Sequence, residues 1–343
     1  MVHVTTASDI VPGDVLLFRG KGLVSWAIRL FDGGEVNHAA IALPDGRLAE
    51  AAATGLVFAP IQRALDANMF TEIRRRNNLD LTDVVATAER YVENGNAYAY
   101  QQIFLLALLG LTRRIPAPRA ARRLIRSAMD HAAAALNDLI PLGRTRMICS
   151  EFVYRVYSEA STSVPNPFRL EIDLGATFAD DDGSLLGWAL QQDDRPLTDL
   201  VGSSFAEPPP SFDAEAAERE LNELVIDYID RAEAAGEHLD VPSDVVGDVL
   251  ATFGISEITA PPEPTDDELL TSMASFGMAL EETAPYDADA EVSPTFDLTA
   301  AGIATTALMG ALHGIVNVSV EPNFVTPRDL AMSTNLTTIG RVP

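Results

Sequence analysis

The stretch Met147-Ile148-Cys149-Ser150-Glu151-Phe152-Val153-Tyr154-Arg155-Val156-Tyr157 contains the only cysteine of the sequence. The apolar residues after it recur with the spacing that forms one face of a helix: Phe152, Val153, Val156 and Tyr157. Glu151 falls in the first turn, where a carboxylate complements the positive end of the helix dipole. The pattern predicts an amphipathic helix, with Cys149 at or just before its N-terminus.

A cysteine in this place has two interpretations. The partial positive charge and the free N–H groups at a helix N-terminus favour the thiolate, which is the form that attacks a carbonyl carbon. A lone cysteine is also a small apolar residue that often serves only to fill a core. The stretch around Cys149 leaves both interpretations open, and other parts of the chain must decide between them.

Upstream, Val36–Leu43 is predicted to be a strand and Arg47–Ala53 its hairpin partner. Between them, Pro44-Asp45-Gly46 suits a type I turn with Gly46 in the left-handed conformation, which is a common three-residue hairpin loop. With this loop length, Leu43 pairs with Arg47.

That register brings two functional side chains together. Ala40 then opposes Glu50, and His38 lies two residues from Ala40 on the same face of the sheet. His38 and Glu50 become diagonal neighbours, about 7–8 Å apart at their Cβ atoms and within hydrogen-bond reach. A two-residue loop would place them on opposite faces.

Cys149, His38 and Glu50 supply the residue types of a nucleophile, a base and a group that orients the base. A zinc site made of the same three residues is chemically feasible but lacks a fourth ligand in the sequence. A single cysteine excludes an internal disulfide and a cysteine-rich zinc site. We therefore expect no metal and no cofactor.

Further elements follow from turn residues and apolar periodicity. A short strand is expected after the turn Pro12-Gly13-Asp14, and the tail is predicted to form a turn over Val325–Leu330 and a short strand over Leu336–Val342. Helices are predicted over Leu23–Phe31, Thr82–Glu93, Tyr98–Leu111, Arg119–Leu139, Ala214–Ala235, Ser243–Phe253, Asp266–Glu282 and Thr299–Ile315.

Charge divides the chain into three parts. The formal balance is +2 for residues 1–160, −28 for residues 161–320 and 0 for residues 321–343, within a total of −26. This change predicts a first domain over 1–160, an acidic, mostly helical and partly flexible insertion over 161–320, and a C-terminal segment that returns to the first domain. Acidic segments repel phosphates, so we expect no nucleic-acid partner. The insertion could bind a basic protein, or cover the cleft as a lid by pairing with the arginines between 113 and 126.

The apolar run from Ile103 to Leu111 is followed by a stretch rich in arginine, up to Arg126. The run is far shorter than the roughly 20 residues that span a bilayer. An apolar helix beside a basic flank predicts either peripheral membrane contact through 103–126 or a buried helix followed by a solvated one. The first residues have no signal-peptide pattern, so we expect a cytoplasmic protein, with export by another route left open.

Several motifs together resemble the circularly permuted NlpC-type hydrolases, which include the YiiX-like bacterial proteins and the lecithin–retinol acyltransferase-like enzymes. The resemblance covers residues 9–160 and 322–343, and it rests on Pro12–Leu17, Asn37–Ile41, Glu50, Cys149–Val153, Pro327–Leu330 and Leu336–Val342. It implies an α+β, papain-like fold in which a small antiparallel sheet packs on the cysteine helix. It also implies Cys149 as nucleophile, His38 as base and Glu50 as the orienting residue.

Three functions are then in competition. The first is a thiol hydrolase that cleaves an amide in a peptide, such as a cell-wall or isopeptide bond. The second is a thiol acyltransferase or lipase that acts on acyl chains at a membrane surface. The third is a non-catalytic protein that works through its acidic insertion. For the catalytic functions, Asn37, Trp26 and Ser150 are the candidates to line the cleft beside the three central residues.

Overall fold

An antiparallel sheet of six strands, in the order β4-β3-β2-β1-β5-β8, lies at the centre of the computed structural model. The structure describes residues 3–52, 55–95, 97–98, 101–142, 145–172, 183–191, 212–241, 243–253, 260–283, 312, 315 and 325–343. The strands of the sheet are β1 (Val15–Gly20), β2 (His38–Ala42), β3 (Arg47–Ala52), β4 (Gly55–Pro60), β5 (Asn68–Arg75) and β8 (Thr337–Val342). Two short strands, β6 (Ala97–Tyr98) and β7 (Thr145–Arg146), pair in parallel.

Helices surround this sheet, so the protein is α+β, as predicted. They are α1 (Leu23–Asp32), α2 (Ile61–Ala67), α3 (Thr82–Asn94), α4 (Gln101–Thr112), α5 (Arg122–Asn137), α6 (Cys149–Glu159), α7 (Leu185–Leu190), α8 (Ala214–Ala234), α9 (Ser243–Phe253), α10 (Asp266–Glu282) and α11 (Pro327–Met332). Most predicted helices are confirmed to within a few residues. The predicted helix Thr299–Ile315 lies almost wholly outside the described residues.

The sheet buries both of its faces, because alternate side chains of a strand point to opposite sides. On one face, Leu17 and Ile41 pack against α6 through Phe152 and Val156. On the other face, α2 packs against the sheet in a smaller apolar cluster, which contains Leu16, Ala40, Leu48, Ile61 and Leu65. The cysteine helix therefore packs directly on β2 and β3.

The hairpin register is the predicted one. Ala40 lies opposite Glu50, and the Leu43 N–H donates to the Arg47 carbonyl at 2.8 Å. The turn itself differs from the prediction. Gly46 is left-handed with φ 70°, as expected, but Asp45 is left-handed too, with φ 61°. The type I assignment is therefore wrong, because it requires a negative φ at Asp45, while the loop length and the pairing are unchanged.

The tail contributes a strand and a helix to the fold. The predicted strand is confirmed as β8, which pairs with β5. The predicted turn over Val325–Leu330 is wrong, because α11 begins at Pro327. Thr326 caps this helix by accepting from the Asp329 N–H, and the Asp329 carboxylate accepts from the Thr326 N–H. This capping box, with proline in the first turn, is a helix-start signal that the prediction of a turn overlooks.

The described helices of the acidic segment pack on the preceding part of the chain. α8 and α10 pack on α5, and one apolar cluster includes residues of α1, α4, α5, α8 and α10. Ion pairs of α5 follow the same interface: Arg122 with Asp266, Arg123 with Asp227 at 3.1 Å, and Arg126 with Glu268 at 3.2 Å. The change of charge near residue 160 therefore does not coincide with a break in packing, and the division into domains stays a prediction.

The apolar run of α4 lies inside this cluster. From Ile103 to Leu109 the side chains are at most 8% exposed, and Leu111 is fully buried. The apolar helix is therefore buried, as one of the two alternatives expected. The helix that follows it is not a solvated one, because Leu124, Ile125 and Met129 of α5 are fully buried in the same cluster. Among the helices of the described ranges, none combines the length and the apolar character that crossing a membrane requires.

Candidate active site

Cys149 is the first residue of α6, and Ile148 is its extended N-cap. The predicted position at the helix N-terminus is confirmed. Its side chain is 1% exposed and packs in the sheet cluster, whereas that of Ile148 packs in the helical cluster of α1, α4 and α5. Cys149 thus lies where the two apolar cores meet, at the end of a helix whose first N–H groups have no intrahelical partner.

His38 and Glu50 meet as the hairpin register requires. The His38 Nε2 atom lies 2.6 Å from a carboxylate oxygen of Glu50, which is a short, charge-assisted hydrogen bond. The His38 ring also stacks on Phe18 of β1, with ring centroids 5.5 Å apart. The imidazole is therefore held on one side by a carboxylate and on one face by an aromatic ring, so its orientation is well defined.

The His38 side chain also hydrogen-bonds the side chain of Cys149. Burial lowers the pKa of His38, but the charge and hydrogen bond of Cys149, together with those of Glu50, outweigh it and raise the pKa to about 10. These contacts therefore favour the imidazolium form of His38. The structure brings the three predicted residues together in the order Cys149–His38–Glu50, the arrangement that a thiolate–imidazolium pair with an orienting carboxylate requires.

A network of buried hydrogen bonds supports the start of β2. The Asn37 Oδ1 accepts from the Gly20 N–H at 2.8 Å and from Arg29 Nη1 at 3.3 Å, and the Asn37 Nδ2 donates to the Ser25 hydroxyl at 3.1 Å. Arg29 Nη1 also donates to the Gly20 carbonyl at 2.9 Å. The residue before His38 is thereby tied to β1 and α1. No sequence signal identified Ser25 or Arg29, because the network joins three separate elements.

The remaining cleft candidates occupy different environments. Asn37 is 2% exposed, and its amide serves the network above. Trp26 is 5% exposed and donates its indole N–H to the Asp240 carbonyl of the acidic segment at 3.0 Å. Ser150 is fully buried, and its hydroxyl has no hydrogen-bond partner among the described residues. That these three residues line a substrate cleft stays a prediction.

Gly20 lies where a side chain would disturb this network. A Cβ atom at Gly20 would be 2.7 Å from the Ser25 hydroxyl and 3.3 Å from the Asn37 Nδ2. We expect Gly20→Ala to lower the free energy of unfolding by about 1–3 kcal/mol and to slow thiol alkylation, because Asn37 and the neighbouring His38 must shift. Gly22→Ala is the matched control, since a Cβ there meets nothing within 4 Å. Urea unfolding measures the stability, and the rate of reaction with iodoacetamide measures the alkylation. If Gly20→Ala and Gly22→Ala had the same stability and the same alkylation rate, the role given to the network would be contradicted.

A metal site would need several side chains that can act as ligands close together. Within the described ranges, no group of three or more His, Cys, Asp or Glu side chains is arranged to hold a metal ion. A second histidine with a carboxylate partner is His131 on α5, which lies 3.1 Å from Glu220 of α8.

Comparisons with known proteins give few matches. No family model matches the chain. It is 29% identical over 162 residues to the probable lipoprotein peptidase YaeF of Escherichia coli strain K12, and the match covers 45% of this chain and 58% of that protein. The chain therefore spans less than two thirds of the length of this relative.

A structural comparison finds the metalloprotein YiiX from Escherichia coli O157:H7, at 16% identity and a TM-score of 0.28, over 44% of this chain and 67% of YiiX. A TM-score this low carries no argument about the architecture. The chain is thus similar to YaeF over part of its length.

Proposed function

We propose that this protein is a thiol hydrolase that cleaves an amide bond, with Cys149 as nucleophile, His38 as proton carrier and Glu50 as the residue that orients His38. The observation that carries the proposal is the double contact of His38, which hydrogen-bonds Glu50 at 2.6 Å and also bonds the Cys149 side chain. The name of YaeF, a probable peptidase, supports a hydrolase role.

The chemistry follows from these contacts. The Cys149 thiolate attacks the amide carbonyl carbon and forms a C–S bond, while free N–H groups at the start of α6 can stabilise the oxyanion. The His38 imidazolium gives its proton to the leaving amine as the C–N bond breaks, which leaves a thioester on Cys149. Neutral His38 then takes a proton from water, and the resulting hydroxide forms a C–O bond to the thioester carbon. The C–S bond breaks, so the acid product leaves and the thiolate and imidazolium are restored.

We also propose that the fold is a circularly permuted papain-like fold. The chain order is histidine, acid and cysteine, the reverse of papain, and the sheet is completed after the cysteine helix by β8. This order fits a permutation in which the sheet precedes the nucleophile helix. A role in the cytoplasm stays a prediction, as does a basic protein partner for the acidic segment.

The buried state of α4 favours amide substrates over acyl chains in a membrane. The second candidate function, acyl transfer or lipolysis, was based on the idea that the apolar run and its arginines contact a membrane. The apolar side chains lie in the core, and Arg122, Arg123 and Arg126 pair with carboxylates of the acidic segment. These groups are therefore engaged within the protein.

A substrate screen tests the proposal. The substrates are N-acyl peptides with a fluorogenic amine bound through the amide, and we expect the protein to release this amine. We also expect an acyl group on Cys149, which mass spectrometry detects after acid quenching. Phospholipid vesicles with a fluorescent acyl chain should be cleaved slowly or not at all, and Cys149→Ala provides the background. Turnover of vesicles alone would support the acyltransferase alternative. No turnover of either class, with no acyl group on Cys149, would favour the interaction protein.

A further inference from the structure

Arg29 is a buried cation beside the candidate active site. It is 5% exposed, and both of its hydrogen bonds use Nη1, to the neutral Gly20 carbonyl and the neutral Asn37 amide oxygen. An arginine has five N–H donors in a planar fork. Those of Nε and Nη2 have no hydrogen-bond partner among the residues that the structure describes.

Hydrogen bonds to neutral acceptors alone are unusual for a buried arginine of this protein. Other well-buried arginines have a carboxylate partner: Arg74 bonds Glu72 at 3.4 Å, Arg155 bonds Glu151 at 2.9 Å and Arg123 bonds Asp227 at 3.1 Å. In the described ranges, Arg29 forms no ion pair. The carboxylate of Asp32, on the same helix, instead accepts from the Arg328 backbone N–H and lies 3.9 Å from the Arg113 guanidinium. A buried charge is costly unless a counter-charge accompanies it.

Two further cations lie near the end of β1 and increase the local positive charge. Burial lowers the pKa of Arg29 to about 10, and the charge of Arg19 acts in the same direction. Lys21 is exposed and bonds the Asp66 carbonyl at 3.1 Å. Arg29 therefore lies among other cations, of which Arg19 also acts on the carboxylate of Glu35.

The position relative to the proposed catalytic residues is close. Asn37, which Arg29 contacts, precedes His38 in the chain, and Gly20 lies two residues after Phe18, whose ring stacks on His38. The guanidinium is thus held next to the strand that carries the histidine. His38 also bonds the Cys149 side chain, so Arg29 is linked to the proposed nucleophile through Asn37 and His38.

We propose that Arg29 binds a carboxylate of the substrate close to the scissile amide, so that the enzyme prefers amides with a free carboxylate near the cleaved bond. The inference rests on the proposed function. The Nε and Nη2 donors match a carboxylate, which accepts two parallel hydrogen bonds from such a fork. Binding would supply a counter-charge to Arg29.

Two alkylating probes that differ in one charge test the proposal. N-bromoacetylglycine carries a carboxylate, whereas N-bromoacetylglycinamide is neutral; in both, the thiolate displaces bromide and forms a thioether. We expect wild-type Cys149 to react about tenfold faster or more with the carboxylate probe, because a hydrogen-bonded charge pair contributes an effect of at least this size. The iodoacetamide rate normalises differences in thiol reactivity between variants.

The variants separate Arg29 from the general field. In Arg29→Gln we expect the ratio of the carboxylate-probe rate to the neutral-probe rate to fall at least about fivefold; any preference left is due to the charge of His38. Arg29→Lys should retain part of the wild-type preference, since lysine keeps the charge but lacks the paired N–H donors of the guanidinium. Lys21→Gln, the matched control, should keep the wild-type ratio. A ratio near one in wild type, an unchanged ratio in Arg29→Gln, or an equal fall in Lys21→Gln would overturn the proposal.

A second measurement does not depend on a reactive thiol. In Cys149→Ala, N-acetylglycine should raise the melting temperature more than N-acetylglycinamide, because a ligand that binds the folded state stabilises it. Arg29→Gln in the same background should abolish this difference. If folded wild-type protein is not alkylated, the proposed function is contradicted. If N-acetylglycine stabilises Cys149→Ala no more than N-acetylglycinamide does, the carboxylate site is contradicted. The two failures are therefore distinguishable.

Discussion

Replacing His38 by alanine is expected to slow the alkylation of Cys149 by iodoacetamide by up to about 300-fold at pH 6. Thiolates react and thiols do not, and an ordinary cysteine with a pKa of about 8.5 is only about 0.3% thiolate at this pH. With His38 in place, we expect an imidazolium beside the sulfur to favour the thiolate, because opposite charges attract. The second-order rate constant, measured from pH 5 to 10, should therefore be nearly flat in wild type and should rise with pH in His38→Ala.

His131→Ala is the control for this experiment, because His131 also lies beside a glutamate but on α5, in contact with α8. It should leave the profile unchanged. A wild-type rate that climbs through pH 8–9 like that of a free thiol would contradict the thiolate–imidazolium pair. So would a profile that is the same in wild type and His38→Ala.

If the protein acts as proposed, the raised pKa of His38 is expected to set the alkaline limit of its activity. With a pKa of about 10 in the folded protein, the imidazolium, which is the proposed proton donor, is lost only as pH rises through 10. Because the folded-state pKa exceeds the ordinary value of about 6.5, His38 stabilises the fold fully below pH 6.5, and the contribution disappears as pH rises through 10. Glu50→Gln removes a contribution that raises this pKa, so the alkaline limit of activity should move down by about 1–2 pH units.

The part of the site that lies on the hairpin could be predicted because its geometry is local. A three-residue loop between β2 and β3 places His38 and Glu50 on one face, and the observed contact at 2.6 Å follows from that register. The position of Cys149 at the start of α6 is equally local. The apolar spacing that follows Cys149 and the carboxylate of Glu151 in the first turn both belong to one helix, so a single window of sequence contains them.

Features that depend on distant parts of the chain could not be predicted. Strand β5 was missed because Glu72 and Arg74 make it look polar, yet both are buried. Their partners lie on β8, far along the chain: Arg341 bonds Glu72, and Thr338 accepts from Arg74. β4 was also missed. The contacts of Arg29 with Gly20 and Asn37 join three elements in the same way, so no single window of sequence contains them.

The association of the acidic segment with the rest of the protein is a further feature of this kind, and Phe276 is the residue that tests it. Phe276 lies on α10, is fully buried, and packs edge-on against Phe104 of α4, with ring centroids 5.8 Å apart. The negative charge of the surrounding segment suggested a separate insertion. The packing instead places an aromatic side chain of the acidic segment in the same core as the helix α4.

Phe276→Ala is expected to lower the free energy of unfolding of the whole protein by about 3–5 kcal/mol, because it removes a large buried side chain and leaves a cavity. The helical core that contains Phe276 meets the sheet core at Ile148 and Cys149, so the loss should be transmitted to the sheet. Amides of β2 and α6 that exchange by global unfolding should therefore exchange on the order of a thousandfold faster in hydrogen-exchange mass spectrometry. Glu281→Ala, an exposed change on the same helix, should have little effect. Faster exchange confined to α8 and α10, with β2 and α6 unchanged, would mean that the acidic segment unfolds separately and that deleting it could leave a folded catalytic part.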